Sequence, residues 1–82
     1  ISRFLGIVIA MYYRDHAPPH FHAIYGEHEA TVNIETGELN GSLPARALSH
    51  VQEWRVLHRD ELLRNWDLAQ AQQPLPKIPP LE

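Results

Sequence analysis

The chain has 82 residues, of which 44% are hydrophobic and 21% charged, with a formal net charge of −3. That describes one small globular domain, too apolar for a disordered tail and too short for a second core. The absence of cysteine excludes disulfide scaffolds, thiolate zinc sites and cysteine nucleophiles, and the mild acidity argues against strong nonspecific binding to a polyanion.

The chain begins at Ile1, not Met, so its start is not read as a natural signal. Residues 4–11 are apolar but lack the basic start and small-residue cleavage site of a signal peptide. No stretch approaches the 18 apolar residues of a membrane span. With no cysteine in use, the expected compartment is the cytoplasm. Phe4 to Tyr13 reads as one strand, apolar on both faces and therefore expected in the middle of a sheet. Arg14 to Pro19 breaks it, because Pro18-Pro19 cannot sit in a ladder. His20 to Tyr25 resumes a strand, Gly26-Glu27 supplies a turn, and Glu29 to Ile34 alternates with Ala30, Val32 and Ile34 inward. Glu35-Thr36-Gly37-Glu38 is a second turn, followed by a short strand or loop flanked by Leu39 and Leu43.

Helix is expected to start at Ser42 to Pro44, with Pro44 in the first helical position. Ala47, Leu48, Val51, Trp54 and Leu57 recur at helical spacing, and Leu62, Leu63, Trp66 and Ala69 form a second set. Asp60 and Glu61 suit the first turn of a separate helix, with His58-Arg59 as the hinge; one continuous helix is the competing reading. Four prolines between 74 and 80 end all helix and leave an extended tail, lying across the surface or partly disordered. The expected fold is a single α+β domain over residues 1–82. A small antiparallel sheet of three to four strands (1–43, including a histidine loop) packs against one or two C-terminal helices (44–72), and a proline-rich tail (73–82) follows.

Of the six histidines, His16, His20 and His22 fall within Arg14-Asp15-His16-Ala17-Pro18-Pro19-His20-Phe21-His22-Ala23. Residues two apart on a strand share a face, so His20 and His22 stand side by side while Phe21 turns into the core. The diproline stiffens the approach, and Asp15 is placed to orient an imidazole. In one reading, His16, His20 and His22 are acid and base of a metal-free reaction such as RNA cleavage, with Arg14 stabilising the developing charge. In another, the same three bind zinc and leave an open position. His20-x-His22-x4-Glu27 echoes the cupin metal motif, but the chain is too short for a cupin barrel. In the third, the histidines pack the turn or contact a partner. Arg55 and Arg59, with Arg46 and Arg64 on the same segment, read as a solvated face or as a strip for RNA or an acidic partner. Trp54 and Trp66 are expected core anchors.

At this segment the chain resembles a known family. The similar stretches are Ile1-Ser2-Arg3-Phe4 through Gly6-Ile7, Met11-Tyr12-Tyr13, and Asp15-His16-x-Pro18-Pro19-His20-Phe21-His22-Ala23. They continue with Ile34-Glu35-Thr36-Gly37-Glu38-Leu39, Leu43-Pro44-x-Arg46-Ala47-Leu48, and Trp54 to Trp66 with His58-Arg59 and Glu61-Leu62-Leu63. Together they resemble a widespread family of small bacterial proteins, the domain of unknown function DUF4160. Such proteins are typically encoded beside a small protein of another family, DUF2442, a pairing that resembles a type II toxin–antitoxin module with this chain as the toxin. The resemblance implies a cognate antitoxin-like partner of the DUF2442 type and, for a small toxin, RNA as target. A noncatalytic binding or regulatory module and a metal-dependent hydrolase are the alternatives.

Overall fold

The structure is a computed structural model and describes residues 1–81. Five strands form one antiparallel meander in the order β1 (Ser2–Phe4), β2 (Ile7–Ala10), β3 (His20–Tyr25), β4 (His28–Asn33) and β5 (Leu39–Gly41). Two helices follow, α1 (Ala45–Leu57) and α2 (Arg59–Gln70). This is the expected α+β fold with one strand more than anticipated.

The extra strand comes from the apolar run at 4–13, which is not one strand. It folds back at Leu5-Gly6, where φ is 51° and 79°, and Phe4 pairs with Ile7 across the turn. Two consecutive positive φ values make the two-residue hairpin whose twist matches the strands it joins. Gly6 adopts that conformation at no steric cost, and Leu5 tolerates it while pointing into solvent, 57% exposed. The second half of the run, β2, is internal to the sheet as expected. It is not covered on both faces: Ile7 and Ile9 are buried, whereas Val8 and Ala10 are only half-buried.

The register sorts side chains onto two faces. Ile9, Ala23 and Ala30 form one cross-strand row and Phe21 and Val32 another, all buried toward the helices. The opposite face carries the rows Arg3–Val8–Ile24–Glu29 and Ala10–His22–Thr31–Asn40, with His20 opposite Asn33 beyond them. Ala47, Val51 and Trp54 of α1 and Leu62, Trp66 and Ala69 of α2 close the core on the first face.

Helical structure runs in two pieces, which settles the alternative of one continuous helix. His58 departs to φ −116°, ψ 25°. Its Nδ1 lies 2.6 Å from Glu61 Oε1 and its ring sits 5.6 Å from the Trp54 ring, so this histidine packs the joint and ties it to the first turn of α2. α1 starts one residue later than expected, with Pro44 just outside the helix in an extended conformation. The tail is extended but not loose. Asn65, 2% exposed, donates to the Pro76 carbonyl at 2.9 Å; the Trp54 indole N–H donates to the Pro79 carbonyl at 2.9 Å; Ile78 and Leu81 are buried in the core. No helix among the described residues is long and apolar enough to cross a membrane.

Gly41 ends β5 at φ 105°, and a Cβ there would lie 2.6 Å from the Glu29 carbonyl oxygen of the paired strand. Both the backbone conformation and the space require glycine. Gly41→Ala is expected to cost about 2–3 kcal/mol, read as a lower midpoint in a thermal melt.

Candidate functional site

The segment between β2 and β3 is held at three points. Met11 is buried at its start. The Pro19 carbonyl accepts from Ile34 N–H at 3.0 Å at its end, and Gln70 of α2 donates to the Asp15 carbonyl at 3.1 Å in between. Arg14 takes a left-handed φ of 67° directly before Asp15. An arginine in that conformation is strained by an amount typical of functional loops. The result is that the Asp15 carboxylate is turned onto the two β3 imidazoles.

Asp15 Oδ2 lies 3.1 Å from His22 Nε2 and 3.3 Å from His20 Nε2. The three donor atoms lie within 4.8 Å of one another. Their side chains are 27%, 14% and 19% exposed, shielded enough to strengthen electrostatics and open enough to admit a small ligand. His20 packs 5.1 Å from the Trp66 ring, and His22 packs 4.5 Å from the Tyr12 ring. The aromatic contacts restrict both imidazoles to the orientation that faces Asp15.

His20 Nδ1 lies 2.9 Å from the Pro18 carbonyl oxygen. A carbonyl oxygen only accepts, so Nδ1 carries a proton, and in a singly protonated ring Nε2 presents a lone pair. That lone pair faces a carboxylate oxygen, and two acceptors 3.3 Å apart repel unless a cation stands between them. At His22, Nε2 is hydrogen-bonded to Asp15, while the buried Nδ1 has no hydrogen-bond partner. Glu29 Oε2 approaches that Nδ1 to 3.4 Å, which is an ion-pair distance without hydrogen-bond alignment. Two carboxylates, Asp15 and Glu29, therefore stand against the His20–His22 pair.

His16, expected with the other two histidines, is exposed and does not join the cluster. It lines an adjoining polar cleft of about 300 Å³ together with His20, Thr31, Asn33, Glu38 and Asn40. Glu27, the carboxylate of the cupin-like spacing, is exposed in the β3–β4 turn; the carboxylates at the histidines are Asp15 and Glu29. Arg14 is exposed beside the cluster in sequence.

Three of the four helical arginines, Arg46, Arg55 and Arg59, have separate surroundings. Arg55 Nη1 donates to the Ile34 carbonyl at 3.0 Å and its Nε to Gln52, while Gln52 donates to the Gly37 carbonyl, so this pair staples the β4–β5 turn to α1. Arg59 pairs with Glu35 and Asp60, each at 3.6 Å, and Arg46 is exposed in the first turn of α1. Sequence reasoning did not pair Glu29 with His22. The signal was the two-residue Gly26-Glu27 turn, which sets Tyr25 opposite His28, Ile24 opposite Glu29 and His22 opposite Thr31. Glu29 is then the diagonal neighbour of His22.

The family model described as a domain of unknown function, DUF4160, matches residues 6–67. The chain belongs to this family. The DUF4160 match includes all of β2 to β5, the Asp15–His20–His22 cluster and α1. No curated protein and no solved structure matches the chain.

Proposed function

We propose that Asp15, His20 and His22 hold one divalent transition-metal ion, zinc by its donor set, and that the protein hydrolyses RNA phosphodiesters as the toxin of a two-gene system. The observation that carries the reading is His20. Its Nδ1–H is spent on the Pro18 carbonyl, which aims the Nε2 lone pair at the Asp15 carboxylate. A backbone carbonyl behind an imidazole is the arrangement that orients metal-binding histidines. Adjacent ligands of a tetrahedral ion with bonds of about 2.0–2.2 Å stand about 3.4 Å apart, and the Asp15–imidazole separations here are 3.1 and 3.3 Å.

Three protein ligands leave a position open, as hydrolytic zinc sites do, and the polar cleft shares His20 with the cluster. A bound ion supplies a Lewis acid and a nucleophilic water at neutral pH. In hydrolysis the water oxygen forms a bond to phosphorus, the bond from phosphorus to the leaving ribose oxygen breaks, and that oxygen takes up a proton. His16, on the wall of the cleft, is the residue assigned to deliver it; Arg14 is assigned to the phosphate charge. The toxin role rests on the resemblance to proteins paired with the DUF2442 family, whose member is the expected cytoplasmic antitoxin.

A metal-free centre is the second reading, favoured by the His22–Asp15 hydrogen bond at 3.1 Å. A proton on His20 then replaces the ion, and His20 and His22 act as acid and base. Both readings predict that induced expression in a bacterial host stops growth, that co-expression of the neighbouring gene's product restores it, and that His20→Ala and His22→Ala each abolish the arrest. Harmless expression of the wild-type chain with cellular RNA intact contradicts both and supports a noncatalytic binding module.

A further inference from the structure

The sheet face opposite the core bears more than the cluster. Along one cross-strand row stand Ala10, His22, Thr31 and Asn40, contributed by β2, β3, β4 and β5. Thr31 and Asn40 line the polar cleft on the β4–β5 side. On the β2 side, Tyr12 leans on the His22 ring at 4.5 Å yet stays 47% exposed, and Tyr13 next to it is 49% exposed. An aromatic surface, a reactive centre and hydrogen-bonding side chains thus follow one another across the strands.

From this arrangement we infer that the face binds a short single-stranded RNA segment running across the strands. One base stacks on Tyr12, the phosphate beyond it lies at the Asp15–His20–His22 centre, and the next base reaches the cleft, where Thr31 and Asn40 bond its edge. This deepens the proposed function and rests on it for the identity of the reacting bond. Single strands suit the geometry because only unstacked bases offer both a face to Tyr12 and an edge to Asn40. An open sheet face carrying aromatic rings is a recurring platform for such strands. The charge agrees with a stacking-dominated mode. At a net −3 the chain has no broad basic field, so affinity depends weakly on salt compared with phosphate-driven binders.

The test is anisotropy titration of a labelled six-nucleotide single-stranded RNA and of the corresponding duplex, with wild-type protein, Tyr12→Leu, Tyr12→Phe and Asn40→Ala. Wild-type protein is expected to prefer the single strand. Tyr12→Leu is expected to weaken it by about tenfold or more, the worth of one stacked base. Tyr12→Phe, which keeps the ring face, restores binding and shows that the loss is not misfolding. Equal binding by wild type and Tyr12→Leu, or a duplex bound as tightly as the single strand, overturns the inference. Metal content of the same samples separates the two claims: Tyr12-dependent RNA binding by metal-free protein supports this track and removes the metal, whereas loaded protein indifferent to Tyr12 removes the track alone.

Discussion

Asp15→Ala is expected to abolish growth arrest and to empty the proposed metal centre while leaving the fold in place. Among the described residues, Asp15 supplies the only carboxylate that touches both imidazoles, at 3.1 and 3.3 Å. In the proposed centre its removal deletes a ligand and the negative charge that would offset the ion. Loss of an outer-shell partner alone already costs 10- to 100-fold in metal affinity, so loss of a ligand is expected to exceed about a hundredfold. The loop itself is held by other bonds, from the Pro19 carbonyl to Ile34 N–H and from the Asp15 carbonyl to Gln70. Neither uses the Asp15 side chain, so thermal stability is expected to change by less than about 1 kcal/mol. Asp15→Asn sharpens the test, since it keeps the size and removes only the charge. Isothermal titration with zinc, alongside a thermal melt of each variant, checks both halves.

Trp54→Ala is the opposite kind of change and is expected to remove the fold. The side chain is fully buried. Its ring meets Phe4 of β1 at 5.3 Å and Phe21 of β3 at 5.6 Å, and its N–H holds the tail at the Pro79 carbonyl. One residue therefore joins the sheet, α1 and the C-terminal strap. Truncating a buried tryptophan costs about 3–5 kcal/mol, and a domain of this length has roughly 4–12 kcal/mol in total. The variant should melt more than about 12 °C below wild type, or be unfolded at 37 °C. Trp54→Phe keeps most of the apolar contact and should retain the fold, with the tail loosened by loss of the indole hydrogen bond. Circular dichroism across temperature separates the three proteins.

How far the sequence reveals these features depends on whether the signal is local. The alternation of Glu29 to Ile34, the turn residues at 26–27 and 35–38, and the acidic first turn of α2 are all local patterns, and each element stands within a residue or two of its expected place. The diproline beside paired histidines marked the site, because His20 and His22 must share a face of β3. The hairpin at Leu5-Gly6 was hidden because its first turn residue is leucine. An apolar residue inside an apolar run gives no polarity break, and the lone glycine was the only mark. The tail's attachment was not legible either. Proline content indicates an extended chain, but only the folded helices place Asn65 and Trp54 where they capture the Pro76 and Pro79 carbonyls. The same holds for the centre. Asp15 joins His20 and His22 in place of His16 because the left-handed Arg14 turns the loop, a conformation that arginine itself does not advertise.

The most direct measurement is the metal content of the wild-type chain purified without a polyhistidine tag, by inductively coupled plasma mass spectrometry, beside Asp15→Ala and His20→Ala. About one zinc-like ion per wild-type chain is expected and little in either variant, with growth arrest and RNA cleavage lost in parallel. A wild-type chain that carries no stoichiometric metal, and cleaves RNA undiminished in the presence of a chelator, contradicts the metal centre and leaves the two imidazoles and Asp15 as a metal-free acid–base site.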